Sequence, residues 1–336
     1  MTTLVTGATG FIGSAVVRRL LDAGHDVRAV VRPYSDRRNI SGLPIDIVVG
    51  DLRKPDTVAV AVRDCEALFH VAADYRLWVR DQRAMLATNV DGTRHLMNAA
   101  GEAGVRRIVY TSSVAVIGHT ADAKPADETS EGRLEDMIGP YKRSKFLAER
   151  AVRELADRGL PVVIVNPTAP VGPRDIKPTP TGRMIAQAAA GRLPAYVETG
   201  LNIVDVDDVA EGHLLAFERG RIGERYILGG ENMVLREIFA VIADMVGRSA
   251  PRLRIPYGCA LAVACTAEAW SRLFGGEPLA NIDSVRMARF PMFFSSKKAR
   301  LDLGFQTRPA VEALRRAVAW FRTESCDTGQ SVTRVP

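Results

Sequence analysis

Residues 3–21 read TLVTGATGFIGSAVVRRLL: a β-branched run, three glycines at positions 7, 10 and 13, then apolar residues at helical spacing. Each glycine has a separate task at such a turn. Gly7 permits the tight bend, Gly10 lets the backbone approach a pyrophosphate, and Gly13 lets helix and strand pack closely. Amides at the start of the helix then face the phosphates, and the helix dipole adds attraction for negative charge. Leu4, Val5 and Thr6 read as strand and Phe11 to Leu21 as helix, the context a dinucleotide-binding turn needs and a merely flexible glycine loop lacks.

Working outward, apolar runs at 2–6, 27–32, 46–49, 67–71, 107–112 and 162–166 alternate with helical patterns at 11–23, 55–63, 84–103 and 141–158. That cadence predicts an α/β fold, a Rossmann-type doubly wound parallel sheet covered on both faces, with ligands at the carboxyl ends of its strands. Residues 1–167 form the dinucleotide-binding domain. After Pro167 the pattern loosens into a smaller substrate lobe, 168–322, with room to interleave with the first, and 323–336 reads as a disordered polar tail. The Pro/Thr/Gly-rich stretch 170–182 (PVGPRDIKPTPTG) is the candidate lid.

A chain of 336 residues, 47% hydrophobic, has ample core to fold unaided. Its net charge of +6 comes from scattered arginines and not from a basic block, which argues against a nucleic-acid partner and suits an anionic substrate, cofactor or membrane surface. Cys65, Cys259, Cys265 and Cys326 have neither paired spacing nor disulfide-rich density, and no leader precedes the first strand, so a reduced cytoplasmic setting is expected. No His/Cys/carboxylate spacing suggests a metal. The most apolar stretch, 257–274, is broken by Glu268 and Arg272 short of a bilayer span; it reads as a buried helix ahead of one resting on a membrane.

Tyr141 and Lys145 stand four residues apart in GPYKRSKFLAER, on one helical face. A cation beside a phenol favours the phenolate and moves its pKa toward the working range, so the pair can serve as an acid and base. Ser113 ends the strand RIVYTSS and is placed to hydrogen-bond a substrate oxygen while Tyr141 exchanges a proton; Ser112 is the alternative register. Tyr75, Trp78, His119 and Trp270 read more readily as core or surface residues than as walls of a substrate site.

TGATGFIG, GDL, HVAA, TSSVAVIG, YKRSK and VDVDDVA, in this order across residues 3–210, resemble the extended short-chain dehydrogenase/reductase superfamily. Within it the chain is similar to dihydroflavonol-reductase-like proteins, and more narrowly to the hopanoid-associated sugar epimerase group. The resemblance implies Tyr141 as general acid/base, Lys145 as the residue that lowers its pKa and holds the nicotinamide ribose, and Ser113 as the substrate-orienting serine. It implies cofactor contacts from Gly7, Thr9, Gly10, Phe11, Ile12 and Gly13, from Asp51 and Leu52 near the adenine, and from Val71, Ala72 and Ala73 beneath the cofactor. Asn89 corresponds to an asparagine that supports the active-site backbone, and Thr111, Pro167, Thr168 and Val171 border the nicotinamide. Relatives commonly form homodimers through helices equivalent to 84–103 and 141–158.

Arg32 stands at the end of the second strand, where NAD-selective sites hold an acid, and Arg37 and Arg38 follow. A guanidinium there suits a 2′-phosphate, so NADP is expected, with NAD as the alternative. The superfamily's dehydratases carry an Asp-Glu pair after the strand-end hydroxyl; this chain has Val114 and Ala115. Its nucleotide-sugar epimerases carry an arginine shortly before the VDD-type segment, where residues 199–204 read TGLNIV. Carbonyl reduction is therefore favoured, on a small molecule that the hopanoid resemblance makes lipid-linked or sugar-derived. A sugar epimerase and a non-catalytic dinucleotide sensor are the alternatives.

Overall fold

The computed structural model describes residues 1–76, 78–79, 81–118, 124–276 and 281–327. Its strands are β1 (Thr2–Thr6), β2 (Asp26–Val31), β3 (Asp46–Val49), β4 (Ala67–His70), β5 (Arg107–Thr111), β6 (Val162–Pro167), β7 (Ala169–Val171), β8 (Ala195–Tyr196), β9 (Gly200–Asp205), β10 (Arg225–Leu228), β11 (Glu231–Val234) and β12 (Leu253–Arg254). Seven of them form one sheet in the order β10-β6-β5-β4-β1-β2-β3, with every neighbouring pair parallel. The order reverses between β1 and β4, which places the crevice of a doubly wound sheet over their carboxyl ends.

Strand residues sort by parity into two cores, because successive side chains point to opposite faces. Val5, Phe69, Val109 and Val163 pack under the helices Phe11–Asp22 and Val206–Arg219. Leu4, Leu68, Ile108 and Ile164 pack under the helices Pro55–Val62, Gly92–Glu102 and Gly139–Asp157. Both faces are therefore dry, as the near-continuous apolar runs predicted.

The chain crosses back over the expected boundary at Pro167. β10 adds the seventh strand beside β6, and the helix Val206–Arg219 covers the β1 side of the sheet. β10 is only RYIL, too short for a period to announce it. The remaining lobe has its own small sheet, β11-β9-β7, and a core of Val171, Ile185, Ile203, Ile238, Ile242 and Leu314.

Three expectations need correction. The stretch 170–182 is largely ordered: β7 reaches Val171, a helix starts at Pro180, and between them the buried Asp175 accepts hydrogen bonds from the Thr179 N–H and hydroxyl. The last helix, Ala310–Asp327, runs past Thr323 into the expected tail, because Ala313, Leu314, Ala317 and Val318 bury one face of it and Arg316 pairs with Asp205. The helix Tyr257–Phe274 is not buried: Ala260 and Ala264 pack inward while Trp270, Leu273 and Phe274 face out. No helix among the described residues is long and apolar enough to cross a membrane.

Candidate active site

Gly7 closes β1 with φ of +72°, a conformation side chains rarely adopt, and a Cβ there would lie 2.7 Å from the Ala72 nitrogen. A Cβ on Gly13 would lie 2.1 Å from the Gly7 carbonyl oxygen, so the helix can approach the strand only with glycine here. Gly10 is the N-cap of the helix Phe11–Asp22 and brings no side-chain cap, so no side chain competes for its first-turn amides. These features fit a bound pyrophosphate. Thr9 and Ile12 are half-buried at the turn, and Phe11 is buried.

Around the turn, Asn39 bonds the carbonyls of Thr9 and Arg174, fastening the 172–179 loop to the glycine turn. Arg32 and Arg37 are exposed beyond the end of β2. Arg38 instead forks onto Asp36, which its hydrogen bonds pull down to about 2. Asp51 is held by Arg53 in the same way and also lowered to about 2, with Arg32 near enough to contribute, while Leu52 is buried beneath. Val71, Ala72 and Ala73 are half-buried after β4, and the Ala72 N–H donates to the Thr6 hydroxyl.

The catalytic candidates meet at the end of β5. Ser113 caps the short 3-10 turn Val114–Val116, its hydroxyl accepting from the Ala115 N–H (3.1 Å), and it neighbours the Tyr141 phenol closely enough to lower its pKa. Ser112 is buried and its Oγ has no partner, so Ser113 takes the register facing the phenol. Tyr141 opens the helix Gly139–Asp157; one turn on, buried Lys145 donates from Nζ to the Thr111 carbonyl (2.8 Å) and sits 3.2 Å from the Tyr110 hydroxyl. Burial lowers Lys145 to about 8, against the Glu149 charge, which raises it.

One expectation fails here in detail. Burial pushes the Tyr141 phenol up, and what opposes it is the Ser113 hydroxyl; the Lys145 ammonium is turned to Thr111 and Tyr110.

Asn89 lies in a π-helical turn, Ala87–Asp91, of the kind often found at functional sites. Its amide bonds both backbone groups of Asp74 and donates to Ser144 Oγ (2.9 Å), which donates to the Tyr141 carbonyl (2.8 Å). This chain of bonds steadies the turn that carries Tyr141. On the far side, Pro167 is buried, Thr168 is half-buried and donates to the Leu228 carbonyl, and Thr111 Oγ1 meets His213. Val171 is a correction: its side chain belongs to the core of the second lobe and does not line the crevice.

Sequence reasoning missed what lies beneath. Buried Glu149, one turn past Lys145, accepts from Asn166 Nδ2 (2.9 Å) and Arg225 Nη1 (3.3 Å), and Asn166 Nδ2 also donates to the Ser113 carbonyl (3.0 Å). Its four-residue spacing from Lys145 was a readable signal. Tyr110 packs on His70, which burial lowers to about 3 and which bonds the hydroxyls of Thr6 and Thr93. Tyr75 ties its hydroxyl to the Lys177 carbonyl, Trp78 is half-buried, and Trp270 is exposed. His119 lies outside the described residues.

Residues 3–229 match the NAD dependent epimerase/dehydratase family. The chain is 45% identical over 322 residues to a provisionally named dihydroflavonol 4-reductase of Synechocystis, covering 95% of this chain and 94% of that one. It is 37% identical over 324 residues to sterol demethylase protein B of Methylococcus capsulatus, covering 96% and 98%. The crystal structure of gox2253 superposes with a TM-score of 0.87 at 54% identity, covering 96% of this chain and 98% of that one.

Proposed function

Since the chain belongs to the NAD dependent epimerase/dehydratase family, and so to the NAD(P)-dependent enzymes of the extended short-chain dehydrogenase/reductase type, we propose that it is an NADP(H)-dependent carbonyl reductase. In reverse it oxidises the corresponding alcohol. The observation that carries this reading is the Ser113 hydroxyl next to the Tyr141 phenol, with Lys145 buried one helical turn on.

A bound nicotinamide supplies the hydride. The protein's part is to place and move a proton. Ser113 holds the substrate oxygen, and Tyr141 donates its phenolic proton to that oxygen as charge develops there. Lys145, still mostly protonated at neutral pH and held one turn from the phenol by Thr111 and Tyr110, would donate to the nicotinamide ribose and so keep the cofactor beside Tyr141. Asn89, through Ser144, positions the Tyr141 backbone. Val114 and Ala115, both buried and apolar, offer no acid or base for elimination.

Gly7, Gly10, Gly13 and their neighbours hold the pyrophosphate in this reading, and exposed Arg32 and Arg37 receive a 2′-phosphate. Arg38 is occupied by Asp36 and is left out of that role. Two relatives named for a sterol and a flavonol support an apolar, polycyclic or lipid-linked carbonyl compound as substrate.

The test is NADPH and NADH oxidation across a panel of apolar ring ketones, with Tyr141→Phe beside the wild type. Turnover with NADPH preferred, and its loss by about 10²–10⁴-fold in the variant at unchanged NADPH affinity, is the expected result. A Tyr141→Phe protein that turns over at the wild-type rate overturns the proton route.

A further inference from the structure

The helix Tyr257–Phe274 is amphipathic in the wrong sense for a helix facing water. Its inward side carries Glu268, whose carboxylate accepts the Ile282 N–H at 2.7 Å, and buried Ser271. Its outward side carries Val263, Trp270, Leu273 and Phe274, exposed by 54%, 65%, 79% and 68%, at the i, i+7, i+10 and i+11 spacing of a single stripe. The Trp270 and Phe274 rings stack with centroids 4.2 Å apart, which fixes them as one aromatic plate. Among the described side chains that face has no charge. Contiguous apolar surface of this kind marks a contact with something other than water.

Cations lie at its approach. Arg252, Leu253 and Arg254 are exposed on the segment leading into the helix, and Arg254 and Arg289 stand on the wall of one cavity of about 400 Å³ beside Tyr257. Glu198 partly neutralises Arg254 (3.5 Å). The chain as a whole carries +6.

We propose that this helix lies in the surface of an anionic phospholipid bilayer, its aromatic plate among the acyl chains and the arginines at headgroup level. Tryptophan with an apolar body and one polar tip suits that interface, and a helix of this length lies along a membrane without spanning it. A second copy of the chain fits less well. A twofold interface would set the same cationic margin against itself, whereas anionic headgroups meet it with opposite charge.

The position gives docking a purpose. The short helix Ile282–Met287 packs beside Tyr257–Phe274, and its Asp283 carboxylate lies against Gly139, the first residue of the helix that carries Tyr141 and Lys145. A docked protein therefore holds its candidate active site one small helix away from apolar compounds dissolved in the bilayer. That purpose rests on the proposed function; the docking does not.

Flotation of the full-length protein with vesicles tests it, using phosphatidylcholine alone and phosphatidylcholine with phosphatidylglycerol. The wild type should float with the anionic vesicles, and its tryptophan emission should shift to the blue. Leu273→Glu with Phe274→Glu should weaken binding by about a hundredfold. Arg252→Glu and Arg289→Glu should each weaken binding to anionic vesicles by about fivefold or more. Trp270→Ala is the milder variant should the double one misfold, and an unchanged circular-dichroism spectrum and melting temperature serve as the folding control. A wild type that stays at the bottom of every gradient overturns the proposal, as does a double variant that floats like the wild type. A double variant whose mass in solution falls to half without vesicles overturns it in favour of a second copy. None of these readouts uses the apolar substrate, so their failure leaves the reductase reading standing.

Discussion

The helix Gly139–Asp157 buries charge, while the helix Tyr257–Phe274 exposes apolar surface. In the first, Lys142, Lys145 and Glu149 are all buried, in positions where side chains of their kind are almost never found unpaired. The lysine at 145 and the glutamate at 149 have their partners inside the molecule: Thr111, Tyr110, Asn166 and Arg225. In the second, four large apolar side chains face outward, and the stacking of Trp270 on Phe274 is a contact within the helix itself. The contrast separates two kinds of unfavourable placement. One is compensated within the fold and serves a site; the other has its compensation outside the chain.

The first half of that contrast breaks most severely at Glu149. Its side chain is 4% exposed and that of its partner Arg225 11%, so Glu149→Ala leaves a nearly dry guanidinium without its counter-charge and strips Asn166 of an acceptor. Removing one partner of such a pair costs about 3–5 kcal/mol, because the remaining charge stays buried. Chemical denaturation should record a loss of that order, with Glu149→Gln losing less because an amide oxygen still accepts from Asn166. A loss below about 1 kcal/mol would mean that water reaches the pair and that the region is less buried than it looks.

A second effect is smaller and belongs to catalysis. Burial brings Lys145 down to about 8, so its charge is present at pH 7 and is lost as pH rises through 8. The Tyr141 phenol is pushed the other way, up from its ordinary value, and keeps its proton over that range. Carbonyl reduction should therefore run on a plateau below pH 8 and decline above it as Lys145 loses the charge with which it would hold the nicotinamide ribose. Glu149 raises Lys145, so in Glu149→Gln the declining limb should move to lower pH. A limb that stays in place would remove Glu149 from the electrostatics of the site and leave it a packing role only.

What the sequence disclosed divides along the same line between local and distant causes. β1 and β3 were legible to the residue, β1 as an apolar run buried on both faces and β3 as a β-branched run at the sheet edge, where three of its four residues are exposed. Gly7 and Gly13 were legible because backbone geometry and close approach restrict those positions to one residue type. Ser113 and Tyr141 were placed by a family pattern, and the structure joins them. Arg225 was out of reach: it meets Glu149 across 76 residues, from a strand too short to show a period. The direction of Lys145 was hidden too, since a four-residue spacing gives a shared face and not the acceptor that draws the side chain away. For the helix at 257–274 the apolar count was visible, but the facing was not. Glu268 read only as an interruption of the apolar run, and it is the residue that turns in to meet Ile282.

The smallest effect belongs to the second half of the contrast. Leu273 is 79% exposed, so folding removes little of its surface from water and Leu273→Ser forfeits little. Thermal and denaturant unfolding should place that variant within about 0.5 kcal/mol of the wild type, the range of surface substitutions with no internal partner. Ile185, fully buried in the core of the same lobe, provides the scale: its replacement by alanine should cost about 2–5 kcal/mol by leaving a cavity among Val171, Ile203 and Ile242. If Leu273→Ser instead costs more than about 1 kcal/mol in dilute monomer, the outward face already has an intramolecular partner, and an apolar surface waiting for an external one no longer describes this helix. If it costs nothing while vesicle binding falls, the free energy of that side chain is realised only against lipid, just as that of Glu149 is realised only against Arg225 and Asn166.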